Sequence, residues 1–196
     1  MRGLLAMLAA TLSLGPFVSS VSAQEVWKPE GVSITAWPSW CSRVGLQSGG
    51  LLLAFSFEAT PCGQSVPVLT ILQAPPPSGP EPVTFEDRFR SVVEQMSGPQ
   101  SKAYHLAKTI QMNGPCTQVS HEVNANPLPG LHAYEIHSVH DCQRFVKYAD
   151  TRNLNILVPR EDGGAWIITL DHPYADLTQE QDALLRRTAA ELAHSN

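Results

Sequence analysis

Apolar and polar residues along the chain predict many strands and two clear helices. Alternating or compact apolar runs, which are typical of strands, cover residues 32–36, 51–57, 66–72, 117–124, 131–141, 145–149, 154–158 and 166–170. The run 103–112 fits either a strand or a helix, and we favour a strand because it leads into a predicted hairpin. A proline-rich segment from Ala74 to Pro82 cannot enter a sheet interior, since proline lacks the N–H donor, and is predicted to be a stiff connector.

The two helices are marked by caps as well as by apolar spacing. Thr84 can cap a helix that ends at Gly98-Pro99, and Thr178 with Gln181 forms a capping-box pattern. The apolar faces that follow are Phe85, Phe89, Val92, Val93 and Met96 in the first helix, and Leu184, Leu185, Thr188, Ala189 and Leu192 in the second. Since strands and helices do not alternate, we predict an α+β fold, with two amphipathic helices packed on antiparallel sheet.

The first residues resemble a secretory signal peptide. Arg2 precedes an apolar run from Leu4 to Leu14, and Val21-Ser22-Ala23 offers a small-residue cleavage site. We therefore expect a leader over residues 1–23 and one domain over residues 24–196, exported to the periplasm or secreted. The apolar run is too short for a membrane span of about 20 residues.

Charge argues against some partners. Arg2 is the only charged residue in the expected leader, which leaves 12 basic and 18 acidic residues and a net charge of −6. Nucleic acids and anionic membranes favour clustered Lys and Arg, so neither is expected as the main partner.

The four cysteines are expected to form two disulfides. An even count in an exported chain favours this interpretation, and the chain contains no CxxC motif of a redox or zinc site. Of the three possible pairings we favour Cys41 with Cys62 and Cys116 with Cys142, because each ties neighbouring segments. The second pair also agrees with the hairpin: if Cys116 lies opposite Cys142, paired residue numbers add to 258 and the centre falls in the turn signal at residues 127–130.

The same hairpin register suggests a metal site. It places His121 opposite His137, with Glu135 on the same face, and two imidazoles with a carboxylate are the ligands of many hydrolytic zinc sites. Valines and an alanine are predicted on that face too, so a structural histidine pair is the alternative.

Sequence motifs for other catalytic or binding sites are weak, and no catalytic residue is assigned. There is no GxSxG elbow. Asp171-His172 is the best acid and base pair, although the following proline suits a structural turn. Trp37 and Trp40 flank Pro38 and either present aromatic binding surface or fill the core beside Cys41.

The layout from Gly31 to His194 resembles the PsbP-like or DcrB-like family of exported α+β sandwich domains. The similar features are Ala36-Trp37-Pro38-Ser39-Trp40, the Thr84-Phe85 helix start, Gly130-Leu-His-Ala-Tyr134, and Trp166-Ile-Ile-Thr-Leu170 before the final helix. The resemblance is one of order and spacing, and the two cysteine pairs depart from the family's usual pattern. It implies an accessory or binding role.

We therefore predict a non-catalytic binding or accessory protein of the cell envelope, without a cofactor. Its partner would be another envelope protein or a small apolar ligand. The alternative is a metal-assisted hydrolase that uses zinc at His121, His137 and Glu135.

Overall fold

A computed structural model describes residues 26–29, 32–43, 56–78, 84–143, 148–172 and 176–195. The expected leader, the first part of the predicted strand at 51–57 and the end of the proline-rich connector lie outside these ranges. The strands are β1 (Val26–Trp27), β2 (Ile34–Thr35), β3 (Trp40–Arg43), β4 (Ser56–Pro61), β5 (Val68–Ala74), β6 (Cys116–Asn124), β7 (His132–Cys142), β8 (Tyr148–Pro159) and β9 (Ala165–His172). The helices are α1 (Phe85–Ser97), α2 (Pro99–Asn113) and α3 (Gln179–Ala193).

The central feature is a seven-stranded antiparallel sheet, which confirms the predicted α+β class. Its order is β3-β4-β5-β9-β8-β7-β6, and a separate short ladder joins β1 to β2. Strands β6 to β9 form a meander whose last strand lies beside β5. The two predicted strands at 145–149 and 154–158 belong to one strand, β8, as far as the described residues show. No helix in the described ranges is long and apolar enough to cross a membrane.

The two faces of the sheet are covered differently. One face packs against α3 and the β1–β2 ladder and contains most of the buried apolar side chains, among them Leu69, Ile71, Leu154, Ile156, Ile168, Leu170, Leu185 and Leu192. The other face carries a smaller cluster of Tyr134, Ile136 and Leu157, against which α1 packs its predicted apolar face. The capping contacts predicted at Thr84 and Thr178 are both present.

Helix α2 corrects the prediction of a strand over residues 103–112. Gly98 ends α1 and also caps α2, and Pro99 occupies the first turn of α2, where its fixed φ and missing N–H are tolerated. The side chains that α2 turns towards the sheet are polar, so the usual apolar helical period is absent. The chain therefore has a third helix, on the less apolar face of the sheet.

Both favoured disulfides are present. Cys41 bonds to Cys62, and Cys116 bonds to Cys142 at opposite positions of β6 and β7. Disulfides persist in oxidising environments, so the pair indicates a protein of an oxidising compartment.

Candidate functional site

The inward stripe of α2 is polar. Ser101 and Thr109 are its two fully buried residues, and His105 and Asn113 lie half-buried between and beyond them at four-residue spacing. Its large apolar side chains are exposed instead, since Tyr104 and Met112 are 64% and 70% exposed. Because α2 contributes no buried apolar side chain to the core, its contact with β6 and β7 is mainly polar.

A cavity of about 430 Å³ opens between α2 and the sheet. Its apolar walls include Val66 and Val68 beside β5, Met112 on α2, Ile136 on β7 and Ala149 on β8. Most of the surface that faces this cavity is apolar, although polar residues are more numerous in the lining, so it suits a small organic molecule that is mainly apolar. Its remaining lining is polar: His105, Lys108, Thr109, Asn113, Asp150, Thr151, Arg152, Asn153, Asp171 and His172.

A second, wider cavity of about 1010 Å³ continues along α2 towards its first turn. The two cavities share five lining residues: His105, Lys108, Ile136, Asn153 and Asp171. The second cavity adds Glu58 on β4, Tyr104 on α2 and the ring of Tyr134. Burial raises the pKa of Tyr134 to about 12, so this phenol stays neutral at physiological pH.

The shared floor is a chain of hydrogen bonds between β8 and β9. The Thr169 hydroxyl donates to Asn155 Oδ1 at 2.9 Å, and Asn155 Nδ2 donates to Asn153 Oδ1 at 2.5 Å. Asn153 Nδ2 then donates to Asp171 Oδ1. All of these donors point the same way, so the chain ends on the carboxylate of Asp171, at the junction of the two cavities.

Three histidines lie behind this floor, at the contact of α2 with β6 and β7. The ring of His105 lies 5.5 Å from that of His121, and Thr109 Oγ1 lies 3.3 Å from His140 Nδ1. The pKa of His105 is lowered to about 4, first by burial and then by the charges of His121, Lys108 and His140, which Asp171 opposes. Burial also lowers the pKa of His140. His105 is therefore neutral at pH 7.

The predicted pairing of His121 with His137 is wrong. A bulge at Val119 shifts the register of β6 by one residue, so His121 lies opposite Ser138 and His137 lies opposite Glu122. Because side chains alternate between faces, the shift moves His121 to the α2 face. There its ring bonds to the Ser138 hydroxyl at 2.8 Å, and Nε2 donates to the Met96 carbonyl at 3.1 Å.

The other two predicted metal ligands lie on the α3 face, each with its own partner. His137 Nε2 lies 2.8 Å from Asp150 Oδ1, and Glu135 Oε1 lies 3.2 Å from His172 Nε2. The hydrogen bond from His172 holds the pKa of Glu135 below its ordinary value, against the opposing effect of burial. Within the described ranges, no three metal-ligating side chains converge. The three predicted residues therefore do not form one site.

Asp171 and His172 also separate. As neighbours on β9 they point to opposite faces of the sheet, Asp171 towards the cavities and His172 towards Glu135. They do not form an acid and base pair. Asp171 instead lies where the two cavities beside α2 meet.

The two predicted binding tryptophans have different environments. Trp37 is 1% exposed, and its Nε1 donates to Thr188 Oγ1 of α3 at 2.9 Å. Trp40 is partly buried and meets Trp37 edge to face at 4.7 Å between ring centroids. Trp37 is thus a core residue, as the alternative interpretation expected, and neither ring lines the cavities described above.

The sequence pattern did not single out most of the residues that line the cavities. Asn153, Asn155 and Thr169 are the polar members of strands whose other faces are buried, which is the ordinary pattern of a strand with one exposed face. A stripe of Ser101, His105, Thr109 and Asn113 at four-residue spacing was the available signal, because it marks a helix with a polar inner face.

Comparison with known proteins adds no relative: no protein-family model matches the chain, and no curated protein matches it either.

Proposed function

We propose that the protein is an exported accessory protein of the cell envelope that binds a small, largely apolar molecule in the 430 Å³ cavity between α2 and the sheet, and does not transform it. The observation that carries this proposal is the cavity itself, whose apolar walls are Val66, Val68, Met112, Ile136 and Ala149. Small-molecule sites are concave, mainly apolar and supplied with a few polar groups.

The position of α2 supports the proposal. A helix that buries only Ser101 and Thr109 contributes little hydrophobic stabilisation, and it leaves Val66 and Met112 at the cavity 48% and 70% exposed. A ligand that covers this surface would contribute free energy that the empty cavity lacks.

The expected leader and the disulfides support the compartment. Periplasmic or secreted proteins are oxidised during export, and both bridges are of the kind that stabilises such domains. The resemblance of the layout to the PsbP-like or DcrB-like exported family points to the same accessory role.

The test measures binding of a neutral apolar fluorophore, N-phenyl-1-naphthylamine, through the increase in its fluorescence. We expect saturable binding with one site per chain. Ala149→Leu places extra carbons in the cavity and is expected to weaken binding at least tenfold. Ala107→Leu, on the exposed side of α2, is the matched control and is expected to bind like the original protein.

Val68→Phe narrows the cavity from its opposite wall and guards against a folding defect in the first variant. Circular dichroism melting of each variant establishes that it folds. The proposal fails if the fluorophore does not bind at saturable stoichiometry, or if both folded cavity variants bind it as tightly as the control. If the protein acts only by binding another envelope protein, the cavity takes up no fluorophore specifically, and crosslinking then reveals a stoichiometric partner.

A further inference from the structure

We propose that the ligand of this cavity carries a positively charged nitrogen, an organic ammonium group, which binds the carboxylate of Asp171 while an apolar tail lies against Val66, Val68 and Met112. This inference rests on the proposed function, because it specifies the ligand class of the same site. It is carried by the placement of one half-buried carboxylate at the junction of two cavities.

The hydrogen-bond chain explains how Asp171 can serve as an anionic acceptor. Asn153 donates one hydrogen bond to Asp171 Oδ1, and the amides behind it are all oriented with their donors towards the carboxylate. A carboxylate has about four acceptor positions, so capacity remains for a ligand. Among the described residues, no Lys, Arg or His forms a salt bridge with it.

The basic groups that line the cavities do not neutralise the charge of Asp171. Arg152 lines the first cavity but pairs with Asp176 at 2.7 Å. His105 lines both cavities but is neutral at pH 7, because burial lowers its pKa to about 4. Lys108 is exposed, and its long flexible side chain can keep the ammonium in water. The least exposed charge that both cavities share is therefore that of Asp171.

The second cavity offers further groups suited to an ammonium. Glu58 contributes a half-buried carboxylate to the floor, and the exposed ring of Tyr104 stands at the wall. The face of an aromatic ring attracts a cation by about 0.5 to 1 kcal/mol at exposed sites. A cationic head group near Asp171 would thus have an anionic floor on one side and an aromatic wall on the other.

The experiment is competition of three ten-carbon amphiphiles with N-phenyl-1-naphthylamine: decylamine at pH 7, decanol and decanoate. The two charged compounds are used below their micelle concentrations and decanol below its solubility limit. In the original protein we expect decylamine to bind about tenfold more tightly than decanol, and decanoate to bind most weakly. This comparison depends on no variant.

Asp171→Asn then removes the charge and keeps an oxygen that can accept from Asn153. We expect it to weaken decylamine about tenfold and to leave decanol within twofold of its original affinity. Asp141→Asn is the matched control, since Asp141 is an exposed carboxylate at the end of β7 and lines neither cavity.

The outcomes separate this inference from the proposed function. If decanol displaces the fluorophore as well as decylamine does, or if Asp171→Asn keeps the preference for the amine, the ammonium assignment is wrong and the apolar binding function stands. If the fluorophore does not bind at all, the proposed function itself fails. Tight binding of decanoate would show that a basic lining residue, Lys108 or Arg152, selects the ligand rather than Asp171, and would also overturn the inference.

Discussion

Replacing Cys116 and Cys142 together with alanine is expected to lower the free energy of unfolding by about 3.5 kcal/mol. The bridge closes a segment with a sequence separation of 26 residues, and its loss increases the conformational entropy of the unfolded chain by roughly this amount. Urea unfolding of the oxidised protein and of the variant, both by circular dichroism, measures the difference. The same bridge holds the end of the β6–β7 hairpin where Thr109 of α2 meets His140.

The paired variant Cys41→Ala/Cys62→Ala is the control for location. Its bridge joins residues with a separation of 21 and is expected to contribute nearly as much, about 3.3 kcal/mol, but at β3 and β4. Amide hydrogen exchange should therefore increase in β6 and α2 for the first variant and in β3 for the second. Unchanged unfolding midpoints, or the same exchange pattern in both variants, would contradict the entropic and local roles given to the two bridges.

The parts of the fold that could be predicted are those in which local signals agree. The helix at Thr84 has a capping side chain, acidic residues in its first turn and an apolar face, and the structure confirms it. The hairpin at residues 116–142 was marked by turn chemistry and by cysteine spacing together, and both are confirmed. Agreement between independent signals is what makes such predictions reliable.

Helix α2 could not be predicted from apolar periodicity. Its inward residues, such as His105 and Thr109, are polar because they face a cavity and a polar floor. A helix with this arrangement lacks the apolar stripe from which an amphipathic helix is predicted. The failure of the pattern coincides with the candidate site, as expected where sequence departs from simple core packing.

The predicted metal site failed for a different reason. A single extra residue, Val119, moves His121 to the other face of the sheet, and no glycine marks the bulge. The predicted register was correct on the disulfide side of the bulge, where Gln118 lies opposite His140, and wrong beyond it. Pairing arguments along a strand therefore hold only as far as the ladder is regular.

Acidification from pH 7 to pH 5 is expected to lower the free energy of unfolding, with His105 contributing about 1 kcal/mol. The native pKa of this histidine is about 4, whereas its ordinary value is 6.5. Between these values the unfolded state binds the proton and the native state does not, so stability falls as pH falls through this window. The contribution of His105 to the free energy of unfolding is smaller than its pKa shift alone implies, because the ring is only half-buried and water screens its charge.

Two variants identify the histidine. His105→Gln carries no titrating group and should reduce the decrease between pH 7 and pH 5, leaving the part contributed by His140, whose pKa burial also lowers. His194→Gln, an exposed residue after α3, should keep the whole decrease. Glu135 does not confuse this window, because its pKa is lowered below 4.5 and its stabilisation is lost only at more acidic pH. Urea unfolding at each pH measures the slope. If the His105→Gln protein keeps the original slope, α2 does not shield this ring from water. The cavity beside the ring would then have to be far more open than the packing of α2 against β6 and β7 indicates.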